Sequence, residues 1–129
     1  MARIEARLER LRPYALAVLR IVTALLFLQH GLSKMAGFPN SGQKLSHFVS
    51  LIGLAAIIEV VGSVLLVVGY RTRLVAFILS GEMAVAYFKV HAQQGFYPIL
   101  NHGEAAILFC FIFLYIACAG SGAWAADRR

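Results

Sequence analysis

Apolar residues along this chain gather into four long runs, roughly 14–34, 48–69, 73–91 and 103–120, separated by short polar stretches. Each run is close to the roughly 17–25 residues that a helix needs to cross a bilayer. In lipid a spanning segment must satisfy its own backbone hydrogen bonds, so the runs are expected to be helices. Ahead of them, Ile4, Leu8 and Leu11 recur at helical spacing with Arg3, Arg7 and Arg10 beside them. That stripe predicts an amphipathic helix over 1–12 lying on the membrane surface. Pro13 then suits the first turn of a new helix. The pattern predicts an all-α integral membrane four-helix bundle, antiparallel and up-down, with a short N-terminal amphipathic helix. It divides into an amphipathic segment (1–12), a transmembrane domain (13–122) and a tail (123–129).

The connections alternate in length. Gly69-Tyr70-Arg71-Thr72 reads as a tight turn between the second and third helices, which makes them antiparallel neighbours. The stretches 35–47 and 92–102 read as longer loops at the opposite end, carrying Gly37-Phe38-Pro39 and Gly95-Phe96-Tyr97-Pro98. Lys34 precedes one and Lys89 the other, a likeness too short to separate a duplicated hairpin from shared loop composition. Tyr14, Tyr70, Tyr97 and Trp124 fall near the ends of runs, where amphipathic rings favour the headgroup layer.

Charge fixes an expected orientation. Only 14% of the residues are charged and 60% are apolar, whereas about a quarter are charged in a soluble domain. The net charge of +6 is no nucleic-acid footprint, because the basic residues flank apolar runs. Arg3, Arg7, Arg10, Arg12, Arg71, Arg73, Arg128 and Arg129 all fall on one side of the predicted topology, while Lys34, Lys44 and Lys89 fall on the other. By the positive-inside rule both termini are cytoplasmic. No small-residue cleavage site follows the first run, so it is expected to remain as a span. Cys110 and Cys118 share one run at a spacing of about 12 Å along a helix, too far for a disulfide between them. They read as inert thiols.

The costly residues are those inside the runs. Glu59, Glu82 and Arg20 lie within predicted spans, Glu104 at the start of one. A charge at the bilayer centre costs about 2.5–3.5 kcal/mol on insertion scales, so these groups should face one another. Depth counting puts Glu59 and Glu82 near mid-membrane, and small residues near Glu59 (Ala55, Gly62, Ser63) suit close helix packing. Arg20 is expected to pair with Glu59 or Glu82. That network reads either as an ion pair fixing helix register or as a proton- or redox-coupled site. One arginine cannot neutralise two glutamates, which leaves room for a protonated acid.

A second polar group gathers at the outer end: His30, Lys34, Lys89, His91, Asn101, His102 and Glu104. Asn101 is a candidate N-cap and Glu104 suits a helix N-terminus. These side chains read as a mouth able to hold a small anion or the polar head of a quinone, or else as a solvated rim. Phe27, Phe38, Phe96 and Tyr97 could wall an apolar slot beside it. No HExxH or C-x-x-C-H spacing is present, so neither metal nor haem is expected. No nucleotide loop is present either.

At these residues the sequence resembles the DoxX family of small bacterial membrane proteins. The matching features are Arg20, His30-Gly31-x-x-Lys34 followed by Gly37-Phe38, Glu59-x-x-Gly62, Gly69-x-x-Thr72-Arg73, Asn101-x-Gly103-Glu104, and the closing Gly120-x-Gly122. The resemblance implies a four-helix protein of the bacterial inner membrane, and relatives are linked to redox and thiol-stress complexes. The expected function is therefore a membrane subunit of a redox system with redox partner proteins, binding quinone or a small sulfur compound at its outer face. No cofactor signature is written in the chain itself, and homo-oligomers are compatible with it. The alternatives are a proton-coupled small-molecule transporter using Glu59 and Glu82, or a non-catalytic membrane scaffold.

Overall fold

The computed structural model describes residues 1–36 and 51–127, and the regular secondary structure within them is all helical. The described elements are α1 (Ala2–Ala36), α2 (Leu51–Val68), α3 (Thr72–Ala86), α4 (Pro98–Asn101) and α5 (Glu104–Ala119). Phe38, Lys44, Arg128, Arg129 and the Gly37-Phe38-Pro39 segment lie outside the described residues.

The first segment corrects an expectation. Residues 1–12 are not a separate helix; they continue without a break through Pro13 into the apolar part of α1, 35 residues in all. Proline removes one helical bond, to the carbonyl of Glu9, and both residues lie where water can satisfy that oxygen. The surrounding Ala, Arg, Glu and Leu residues are strong helix formers, and Glu9 pairs with Arg12 one turn on. At about 1.5 Å per residue α1 is about 52 Å long, far more than the roughly 30 Å of hydrocarbon it could cross. Its first dozen residues are exposed on every side, including Ile4, Leu8 and Leu11.

α2 ends at a turn set by two left-handed residues, Gly69 at φ 77° and Arg71 at φ 53°. The N–H groups of Gly69 and Tyr70 both return to the carbonyl of Leu65, at 2.8 and 2.9 Å. Gly69 is required twice over: its φ is positive, and a Cβ there would lie 2.5 Å from the side chain of Ala125. α3 begins at Thr72 and runs as α-helix to Ala86. It then widens into a π-helical turn, Tyr87–His91, and closes as a 3₁₀ turn, Ala92–Gln94. The stretch expected to be a loop over 92–102 is thus partly helical, with α4 inside it. The N-cap of α5 is Gly103 rather than Asn101.

The helices alternate in direction. Gly31 of α1 lies against Val60 and Glu59 of α2, and Gly62 of α2 lies against Leu79 of α3. Ser80 of α3 donates to the carbonyl of Cys110 in α5 at 2.7 Å. One core joins all four long helices, with Ala24 and Phe27, Leu66, Leu79 and Met83, and Phe113 and Ile116 at its centre.

Outside that core the usual distribution is inverted. Phe77, Val85, Leu108 and Phe111 are 62–64% exposed, whereas Arg20, Glu59, Ser63 and Asn101 have no exposure at all. Water would penalise such a surface, and lipid would not. Two helical stretches, Ala2–Met35 and Thr72–Gln94, are long and apolar enough to cross a membrane, and Ile52–Val68 and Glu104–Ala119 are shorter apolar helices.

Candidate functional site

The site is built where α1, α2 and α3 come level. At Gly31 an added Cβ would lie 2.7 Å from the Val60 side chain and 3.1 Å from Cβ of Glu59, so α1 and α2 touch closely there. That approach brings Lys34, one turn further along α1, over Glu59, and its Nζ donates to Glu59 Oε1 at 2.7 Å. The lysine side chain is 37% exposed and the glutamate is fully buried. The register set by Gly62 and Leu79 puts position 82 of α3 opposite position 59, and the charged neighbours of Glu82 are Glu59 and Lys34. His30 has the same two charged neighbours. Its ring lies edge-on to Phe109 at 5.6 Å and tilted against Phe27 at 6.2 Å.

The cluster is not closed upon itself. Oε2 of Glu59, Oε2 of Glu82 and Oγ of Ser63, one turn from Glu59 on α2, are buried with no hydrogen-bond partner among the described residues. A buried polar atom without a partner costs about 1–3 kcal/mol. Glu82 shares a side-chain hydrogen bond with Glu59, yet one oxygen of each carboxyl is left over near a lysine and a histidine. Such a set can accept a proton or bind hydrogen-bond donors of a small polar head.

The predicted pairing of Arg20 with Glu59 or Glu82 is wrong. Arg20 is fully buried, but its guanidinium donates to the carbonyls of Ser121, Ala123 (3.2 Å) and Trp124 (2.8 Å) in the C-terminal tail. No ion pair joins it to either glutamate among the described residues. Register explains why. With Gly31 level with Val60, Arg20 falls level with the turn at Gly69, whose added Cβ would meet the guanidinium at 3.3 Å. Arg20 and Glu59 are thus separated by about ten residues of helix, or about 15 Å.

The tail is fastened at further points. Ala123 N–H reaches the Pro13 carbonyl at 2.9 Å, and Ala126 N–H reaches that of Val68 at 3.0 Å. Asp127 accepts from the N–H groups of Arg71 (2.8 Å) and Thr72 (2.9 Å), capping the first turn of α3 from a distant part of the chain. Burial alone would raise the Asp127 carboxyl; the Thr72 and Arg71 N–H groups and the Ser121 hydroxyl outweigh it and hold it below its ordinary value. Arg73 donates to the carbonyls of Ala117 and Cys118 at the end of α5.

The remaining predicted residues separate from the cluster. His91 Nδ1 lies 3.0 Å from the Asn101 carbonyl, with its ring stacked on Tyr87. Asn101 is a hub rather than a cap: its amide donates to the Gly95 carbonyl (2.9 Å) and the Tyr87 hydroxyl (3.2 Å), and its oxygen accepts Gly103 N–H (2.8 Å). Lys89, His102 and Glu104 are exposed, and no hydrogen bond or ion pair ties them to Glu59 among the described residues. Phe96 and Tyr97 are also exposed and pack on each other. Of the aromatic slot, Phe27 alone among the described residues adjoins the cluster, backed by Phe109 and Phe113 at 5.1 and 5.0 Å.

The family model for DoxX matches residues 15–92, a stretch that contains Arg20, His30, Lys34, Glu59 and Glu82. An uncharacterized protein of Haemophilus influenzae is 48% identical over 127 residues, covering 95% of both chains. The putative oxidoreductase CatD of Bacillus subtilis is 30% identical over 117 residues, covering 85% of this chain and 82% of its own. No solved structure matches the chain. With its matching family model, its apolar helices and its exposed apolar surface, this chain belongs to the DoxX family of membrane proteins.

Proposed function

We propose that the protein is a multi-pass component of the bacterial inner membrane in which α1, α2, the α3 stretch and α5 cross as a four-helix bundle, serving a redox system. The buried cluster of Lys34, Glu59 and Glu82, with His30 at its edge, is its working site. The carrying observation is the Lys34–Glu59 contact at 2.7 Å beside acceptor oxygens without partners. A purely structural ion pair has no use for the second carboxyl or for Ser63. Phe27 and Phe109 offer an apolar wall, and the carboxyls and lysine offer the few polar groups that fix a ligand's head. A quinone fits that combination, and a small sulfur compound fits the charged part of it. Support for redox work also comes from the name of the Bacillus subtilis relative, a putative oxidoreductase. Lys89, His91, His102 and Glu104 then line the approach from the outer face.

The charge distribution supports cytoplasmic termini. A cysteine at position 41 should react with an impermeant label from the outer side only; labelling from the cytoplasm alone would reverse the orientation. The function is tested on protein purified in detergent, by its absorption spectrum and by the lipids extracted from it. Co-purifying quinone that is lost in Glu59→Gln supports the redox reading, and its absence from the wild type counts against it. One ammonium faces two carboxyls, an imbalance of charge inside the helices that favours a proton-coupled carrier as the second reading. Substrate-dependent proton flux in liposomes, without bound quinone, would select it. A tightly co-purifying protein with neither property would point to a scaffold.

A further inference from the structure

We propose that the opposite, arginine-rich end of the molecule holds a binding site for a phosphate-ester anion, built to take the headgroup of an anionic phospholipid. A cavity of about 640 Å³ opens there between the Arg12–Leu16 stretch of α1, the first turn of α3 and the end of α5. Arg12, Arg71 and Arg73 line it, and among the described residues Asp127 is the one carboxylate with them. That carboxylate is already engaged: one oxygen takes the N–H of Arg71, the other takes the N–H of Thr72 and the Ser121 hydroxyl. It also occupies the N-terminus of α3, so a ligand must be drawn by the guanidinium groups and not by that helix end.

The three arginines keep donors to spare. Arg73 spends one nitrogen on the last carbonyls of α5. Arg71 lies 5.9 Å above the Tyr70 ring, a cation–π contact that leaves its edge free. Arg12 pairs with Glu9 among the described residues, and both side chains are more than 60% exposed. Guanidinium forks match phosphate oxygens in pairs, which makes this the chemistry of a phosphate group.

The rest of the lining separates a lipid from a soluble phosphate. Pro13, Leu16 and Leu74 continue the cavity toward the apolar surface. Tyr14, next in the chain to Pro13, and Trp124, two residues past Gly122, form an interfacial aromatic pair with ring centroids 5.4 Å apart at the same end of the molecule. A polar mouth that grades into an apolar wall at that depth suits a headgroup with its acyl chains attached. This site is independent of the redox reading, because it shares no residue with Lys34, Glu59 or Glu82.

Trp124 is the chain's one tryptophan, and its fluorescence can report on the neighbouring cavity. Full-length protein in detergent is titrated with phosphatidylglycerol, phosphatidylcholine and inorganic phosphate. Phosphatidylglycerol should bind about tenfold more tightly than phosphatidylcholine. Arg12→Gln combined with Arg71→Asn should abolish that preference, whereas Arg3→Gln with Arg7→Gln, which removes equal charge outside the cavity, should preserve it. Arg12→Gln alone, on an exposed turn, gives a variant whose fold is not at risk and should lose several-fold. A response to inorganic phosphate with the same arginine dependence would support the anion site and assign it to soluble phosphate esters instead of lipid. Equal losses in the two double variants, or no preference among the three probes, would overturn the proposal.

Discussion

Arg20 and Glu59, the two fully buried charged residues among those described, have different surroundings. Around Arg20 the chain has supplied carbonyls of Ser121, Ala123 and Trp124 to the two terminal guanidinium nitrogens, from a tail fastened at Pro13, Val68, Gly69 and the first turn of α3, although Thr72 Oγ1 there is buried with no hydrogen-bond partner among the described residues. Around Glu59 it has supplied one lysine and left acceptor oxygens over, with a second carboxyl and a hydroxyl alongside. Both regions hold buried polar atoms without a partner; the Glu59 region differs in that carboxylate oxygens are left over beside a lysine, an arrangement that calls for an explanation of its own. The comparison assigns the fold to the Arg20 region and the chemistry to the Glu59 region.

The largest expected effect on stability comes from breaking the Arg20 region. Arg20→Met leaves carbonyls without their donor and should cost about 2–4 kcal/mol, read as a lower melting temperature in detergent. Folded Arg20→Met protein should still retain ligand at Glu59. Glu59→Gln should cost less, about 1–2 kcal/mol, because the half-exposed Lys34 can turn its ammonium toward water. It should nevertheless abolish ligand retention. A Glu59→Gln protein that melts far below Arg20→Met would reverse the assignment.

Asp127 sharpens the comparison through pH. Its folded carboxyl lies below its ordinary value, so its contribution is fully present above about pH 4 and is lost as pH falls through the lowered value. Asp127→Asn should cost about 1 kcal/mol at neutral pH, as loss of a cap does, and should flatten the acid limb of melting temperature against pH. An acid limb unchanged in Asp127→Asn would assign it to other carboxyls. The smallest effects are expected at His102→Ala and Glu104→Gln, each within about 0.5 kcal/mol, since both side chains are exposed. A loss of ligand in either variant would widen the working site to the full outer rim.

Much of this was legible in the residues, and the reasons for the rest are physical. Four apolar runs gave four helices because periodicity and length are local properties. His30, Lys34 and Glu59 stood out because charge inside an apolar run is costly wherever it lies. Which charges meet is not local. The cost of buried charge paired Arg20 with Glu59 or Glu82, but the approach at Gly31 fixes the register and carries Arg20 to the Gly69 turn. Its true partners are backbone carbonyls, which every residue carries and no sequence pattern flags. Asp127 was read as part of a tail for the same reason, since its partners are the N–H groups of Arg71 and Thr72. Pro13 misled because proline opens helices more often than it sits inside them, yet one lost bond beside water is affordable in a segment of strong helix formers.

The central claim, that ligand chemistry belongs to Glu59 and not to the Arg20 region, is tested most directly by the affinity of a short-chain quinone for purified variants. Glu59→Gln should bind about tenfold or more weakly than wild type, the scale of one charge-assisted hydrogen bond, while Asp127→Asn binds as wild type does. Equal affinity in Glu59→Gln and wild type, or a loss confined to Asp127→Asn, would contradict the account.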